Sequence, residues 1–190
     1  PGAGSHKNKK KQRIQDMARN AAISQGYGEL LFRICDRIKP ERILELGTSL
    51  GISTAYMANA CKAEIHSIEG RKQLAERAKK LFQNDKTAHV HIHAGLFEDV
   101  LPLPGMWDLV YVDGNHTYEA TIKTVNQLIP NLGPNSLIII DDIRWSSGMW
   151  RAWVELCNLE NFHVSIDLLR MGLLFTRPFQ TKEHFTLYPG

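Results

Sequence analysis

The chain has 190 residues, of which 43% are hydrophobic and 23% charged, and a formal net charge of +3. This is the make-up of one ordinary globular domain large enough to bury a full core, which excludes a disordered or low-complexity chain. No apolar run approaches the length of a membrane span, and a charge this mild directs the chain to no particular partner.

The sequence begins PGAGSH, a segment set aside from the fold as a scar or processed end, and residues 7–13 (KNKKKQR) form a basic run. That run reads first as a solvated arm, with nucleic-acid contact as the sharper and less favoured reading. Residues 1–13 are therefore taken as a tag or flexible basic arm, and residues 14–190 as a single domain. No apolar core follows the basic start, so no signal peptide is expected. Cys35, Cys61 and Cys157 are odd in number and scattered, which predicts reduced thiols in a cytoplasmic setting.

Apolar residues recur at helical spacing over residues 14–38, interrupted by Gly26-Tyr27-Gly28, which predicts two helices joined near residues 24–28. Pro40 closes the second of them. Residues 43–46 (ILEL) read as a first strand, followed by a loop with Gly47 and Gly51 and a helix from Ile52. Strand, glycine loop and helix open a nucleotide-binding βαβ unit: glycine turns the backbone sharply, and the helix start offers free N–H groups. The dinucleotide pattern G-x-G-x-x-G is missing, which makes a dehydrogenase the weakest reading.

Residues 63–68 (AEIHSI) predict a second strand ending at Glu69-Gly70, and residues 72–81 a charged amphipathic helix. Residues 90–94 fall in a third strand and 108–112 (DLVYV) in a fourth, ending at Asp113-Gly114. A helix follows over 118–128, then a turn at 131–135 (NLGPN). Residues 136–140 (SLIII) form a fifth strand ending at Asp141-Asp142, and 148–157 a helix. Two closing strands, 162–168 and 172–176, are linked by a tight turn near Arg170-Met171. The inner strands are continuous apolar runs, as in strands covered on both faces. The alternation predicts an α/β, Rossmann-like three-layer sandwich: a seven-stranded, mostly parallel sheet with an antiparallel C-terminal hairpin.

Ligands of such a sheet bind beyond the carboxyl ends of its strands. Those ends carry Glu45 and Gly47; Glu69 and Gly70; Gly95, Phe97 and Glu98; Asp113 and His116; and Asp141, Asp142 and Trp145. Glu69, about 20 residues past the glycine loop, has the chemistry to accept hydrogen bonds from a ribose diol, or is simply a polar strand end. Asp113, Asp141 and Asp142 would repel one another unless a hard divalent cation joined them; alternatively, Asp142 caps the next helix. Met149, Trp150 and Trp153 have the spacing of core residues, while Trp145 precedes the helix as a candidate substrate contact. His89, His91 and His93 alternate on one strand; such a face can bind zinc, but the favoured reading is a half-exposed strand.

The segment LELGTSLGISTAYMA, with its E-x-G-x-x-x-G spacing from Glu45 to Gly51, resembles the first motif of class I S-adenosylmethionine (SAM) methyltransferases. DLVYVDGNHTYEA followed by SLIIIDDIRW resembles the cation-dependent O-methyltransferases of catechol and caffeoyl-CoA type. It is closer still to the bacterial group with a D-G-x-H-x-Y segment, and the likeness runs from about residue 24 to 142.

The resemblance implies metal ligands at Asp113, Asp141 and Asp142, the last usually Asn in that family, for Mg²⁺, Ca²⁺ or Mn²⁺. His116 falls where those enzymes carry a catalytic Lys, so it and Asp113 become the catalytic candidates. It further implies the methionine end of SAM along Glu45, Gly47, Ser49, Gly51 and Ser53, the ribose on Glu69, and the adenine near Gly70, Gly95, Phe97 and Glu98, with Asp113 completing the cofactor site. The expected reaction is methyl transfer to a hydroxyl of a small acceptor. A nucleoside hydroxyl in RNA and a non-catalytic SAM-binding module are the competing readings. A homodimer is compatible with a short N-terminal cover.

Overall fold

The computed structural model describes residues 23–83 and 87–188. The basic run and the first of the two expected N-terminal helices lie outside the described residues. The chain enters through helix α1 (Gln25–Ile38) and strand β1 (Arg42–Leu46), then α2 (Ile52–Ala60), β2 (Glu64–Glu69) and α3 (Lys72–Leu81). Next come β3 (Val90–Ala94), a single turn α4 (Phe97–Val100), β4 (Trp107–Val112) and α5 (Tyr118–Leu128). The last part is β5 (Leu132–Ile140), α6 (Ser147–Asn158), β6 (Val164–Leu168), β7 (Met171–Phe175) and β8 (Glu183–Thr186).

The strands form one sheet in the order β3-β2-β1-β4-β5-β7-β6-β8. Strands β1 to β5 run parallel, and β7 runs antiparallel to both β5 and β6. Alternate side chains explain the uninterrupted apolar runs. Ile43, Ile65, Ile92, Leu109 and Ile139 face α1, α2 and α3. Leu44, Ile68, Val110, Ile138 and Ile140 face α5 and α6. Strands β4 and β5 are thus apolar on both sides because each side meets a helix layer, whereas β3 carries His91 and His93 on its second face.

Two details depart from the sequence reading. Gly26 and Gly28 do not break the chain; both lie within α1. A Cβ on Gly28 would sit 2.3 Å from the Tyr56 ring, so the glycine is there to bring α1 close to α2. The sheet also has eight strands, not seven. The extra strand, β8, pairs parallel to β6, and all four of its residues are exposed. An exposed edge strand has no apolar period to announce it.

Candidate functional site

The parallel order brings the carboxyl ends of β1, β2, β4 and β5 side by side. At the centre Gly47 turns with φ 110°, and a Cβ there would lie 1.9 Å from the Asp113 carbonyl oxygen. The glycine loop and the end of β4 are therefore in direct backbone contact, which only glycine allows. Gly51 (φ 78°) starts α2, whose first turn is capped by no side chain. Its N–H groups remain available to an anionic group.

Two buried carboxylates shape this loop from below. Glu45 is fully buried and accepts hydrogen bonds from Ser53 Oγ, Thr54 Oγ1 and Ser67 Oγ, each at 2.5 Å. Burial raises its pKa against the pull of these hydroxyls, and the Glu69 charge adds to the rise. Glu69, also buried, accepts from the Ser49 N–H at 2.7 Å and the Arg71 N–H at 2.8 Å. It thereby ties the β2 end to the loop. Thr48, Ser49, Leu50, Ser53 and Asp113 line a small cavity above them. Around it, Gly70 and Gly95 sit at the next strand ends, and a Cβ on Gly114 would lie 2.9 Å from the Phe97 ring. Glu98 turns away to pair with Lys123 at 3.0 Å.

The aspartates form the second half of the site. Asp141 is fully buried and accepts four hydrogen bonds. Arg170 Nε and Nη2 donate at 2.9 Å each, Tyr111 Oη at 3.0 Å, and the Asp142 N–H at 2.9 Å. Arg170 Nε also lies 3.2 Å from Asp142 Oδ1. Asp142 has φ 53° and does not cap α6; the Ser146 side chain does, accepting from the Met149 N–H. His116 Nε2 bridges the other two acids, 3.5 Å from Asp113 Oδ1 and 3.9 Å from Asp142 Oδ2. Burial, helped by the charges of Asp141, Glu45 and Asp142, pushes the Asp113 carboxyl up to about 8, with Arg170 opposing. Burial and Asp141 likewise raise Asp142. Trp145 is 70% exposed, with its ring 6.3 Å from that of His116.

Arg170 thus offsets part of the repulsion expected among the three aspartates. Asp141 has about four lone-pair sites and all are used, so a divalent ion could reach it only by displacing one of these donors. Among the described residues, no three metal-ligating groups at these strand ends bring ligand atoms within 4.8 Å of one another. The expected set of Asp113, Asp141 and Asp142 is not drawn together around one cation position in this arrangement. The residue that sequence reasoning missed is Arg170. A turn arginine 29 positions from its partner leaves no local signal. A larger hollow of about 320 Å³, bordered by Trp150, Cys157, Lys182 and His184, lies between α6 and the β6–β8 edge and contains none of these acids.

Residues 44–143 match a family described as a methyltransferase domain, which is more than half of the chain. The chain belongs to this methyltransferase family. Within the methyltransferase match lie the glycine loop, Glu69, Asp113, His116 and both terminal aspartates of β5, while Arg170 lies outside it. The chain is 31% identical over 118 residues to the O-methyltransferase hkm8 of Aspergillus hancockii, covering 56% of this chain and 46% of that one. It is 26% identical over 133 residues to catechol O-methyltransferase of Mycobacterium tuberculosis, covering 67% and 60%. It therefore spans roughly half the length of these curated relatives.

Solved structures share the methyltransferase fold. The O-methyltransferase TomG from Streptomyces achromogenes, in complex with SAM, matches with a TM-score of 0.71 at 20% identity, covering 87% of this chain and 88% of that one. An O-methyltransferase from Bacillus cereus, in complex with SAH, matches with a TM-score of 0.72 at 14% identity, covering 92% of each. No helix among the described residues is long and apolar enough to cross a membrane.

Proposed function

We propose that this methyltransferase-domain protein transfers a methyl group from SAM to a hydroxyl of a small acceptor seated between His116 and Trp145. The observation that carries the reading is the contact between Gly47 and the Asp113 carbonyl, which places the cofactor loop against the acid–histidine pair. The residues present suit the cofactor. The uncapped start of α2 suits a carboxylate, the Ser49–Ser53 cavity a polar chain, and Glu69 a diol at its remaining lone pairs. When bound, SAM supplies an electrophilic methyl on a sulfonium.

The chain's own residues do the rest. Glu45 acts through Ser53 and Thr54, fixing the first turn of α2. His116 Nε2 takes the proton of the acceptor hydroxyl, and Asp142, 3.9 Å away, is the acid placed to stabilise the imidazolium. Arg170 holds Asp141 rigid, so the acids stay in place as charge moves. Trp145 supplies a flat wall, which suits an aromatic or catechol-like acceptor. Most of the acceleration comes from positioning.

The test is calorimetric SAM binding to the full chain, followed by methyl-transfer assays on a panel of catechols and vicinal diols. His116→Ala should leave SAM binding intact and lower kcat by about 10²–10⁴. SAM binding with no acceptor turned over would favour the non-catalytic module. Absence of SAM binding would sink both readings.

A further inference from the structure

The opposite end of β2 holds a cluster that methyl transfer does not use. Glu64 and His66 lie two residues apart on β2 and so share a face. His91 on β3 stands directly across from His66 in the register. Glu64 Oε1 is 3.1 Å from His66 Nε2 and 3.9 Å from His91 Nε2. One ligand atom from each of the three residues falls within 4.8 Å of the other two. His66 Nε2 is buried and, although near Glu64, has no hydrogen-bond partner.

The surroundings orient this group. Arg42 Nε donates to Glu64 Oε2 at 3.0 Å, which leaves Oε1 turned toward the histidines. His66 Nδ1 and His93 Nε2 are 3.0 Å apart, and the two rings stack at 10°. With the proton of that bond on His66 Nδ1, Nε2 offers its lone pair to the group. This is the arrangement in which an outer partner fixes the tautomer of a metal-bound imidazole. The Trp107 ring packs edge-on against His66, 5.4 Å away. His91 and Glu64 are exposed, which gives an ion a path in.

We infer that Glu64, His66 and His91 form a transition-metal site, with His93 as its outer partner. Two imidazole nitrogens and one carboxylate oxygen, with water as a fourth ligand, suit tetrahedral Zn²⁺. Imidazole donors favour Zn²⁺, Ni²⁺ or Cu²⁺ over Mg²⁺ or Ca²⁺. The site is structural. It joins the edge strand β3 to β2, and about 10 Å of β2 separates its nearest ligand, His66, from Glu69 at the cofactor end.

The test uses the chelator-stripped 190-residue chain titrated with Co²⁺, read by its visible ligand-field bands, and with Zn²⁺, read by calorimetry. One saturable equivalent is expected in wild type and in Asp141→Asn/Asp142→Asn. His91→Ala and Glu64→Gln, both at exposed positions, should abolish it. His93→Ala should weaken it by about 10- to 100-fold, as loss of an outer partner does. Zn²⁺ should also slow hydrogen exchange at β3 amides in wild type and in Asp141→Asn/Asp142→Asn, but not in His91→Ala or Glu64→Gln. The inference is overturned if wild type shows no saturable binding, or if binding survives His91→Ala and Glu64→Gln unchanged.

Discussion

Replacing Arg170 with Ala tests how the acids are held. The substitution removes both charge-assisted hydrogen bonds that the guanidinium gives to Asp141, leaving a fully buried carboxylate with only Tyr111 and the Asp142 N–H. Breaking a buried pair by removing one partner costs about 3–5 kcal/mol. Arg170's side chain is 29% exposed, so water recovers part of this and about 3 kcal/mol is the expected loss. With a urea m-value of about 2 kcal/mol/M, the unfolding midpoint should fall by about 1.5 M. Freed of Arg170, Asp141 also regains lone pairs for a cation, so millimolar Mg²⁺ should raise the midpoint of the variant and leave wild type unmoved. A midpoint shift below about 0.3 M would refute the argument. So would equal stabilisation of wild type by Mg²⁺, which would mean that the acids hold a cation with Arg170 in place.

Three further outcomes follow from the same geometry. The Asp113 carboxyl titrates near 8 when folded against an ordinary 3.8, so the folded state keeps a proton the unfolded chain has released. Its contribution to stability therefore falls as pH rises through that window; Asp113→Asn should remove this component, and parallel wild-type and variant stability–pH curves would contradict it. Interaction with the Cys35 side chain brings the Cys61 thiol down to about 6, while burial pushes Cys157 up to about 11. At pH 7 iodoacetamide should label Cys61 well before Cys157, and Cys35→Ala should slow the Cys61 reaction; equal rates would count against the pairing. Trp145→Ala should change stability by less than about 0.5 kcal/mol, as exposed positions do, while raising KM for the acceptor several-fold. An unchanged KM would remove Trp145 from the acceptor wall.

The sequence made some parts of this molecule legible and hid others for physical reasons. Helices 72–81 and 118–128 and the strand 90–94 appear with the bounds their periodicity predicts, because burial on one face or both writes a period into the chain. Gly26 and Gly28 misled because a glycine needed for close helix packing looks the same as one that ends a helix. The acids at the strand ends were visible since each follows an apolar run. Their electrostatic balance was not visible, because Arg170 and Tyr111 reach Asp141 across 29 and 30 positions of sequence. The alternating histidines of β3 were visible too, but the cluster they enter draws on Glu64 and His66 from the neighbouring strand.

Arg170 occupies the turn between β6 and β7, and its carbonyl also accepts from the Ile143 N–H just beyond the aspartates. During synthesis, the first five strands emerge from the ribosome while this counter-charge is still enclosed within it. Until then Asp113, Asp141 and Asp142 form an acidic mouth with only His116 between them. The C-terminal hairpin is thus a late-arriving electrostatic clasp, and chains truncated ahead of it should remain open at the site even where their parallel sheet has formed.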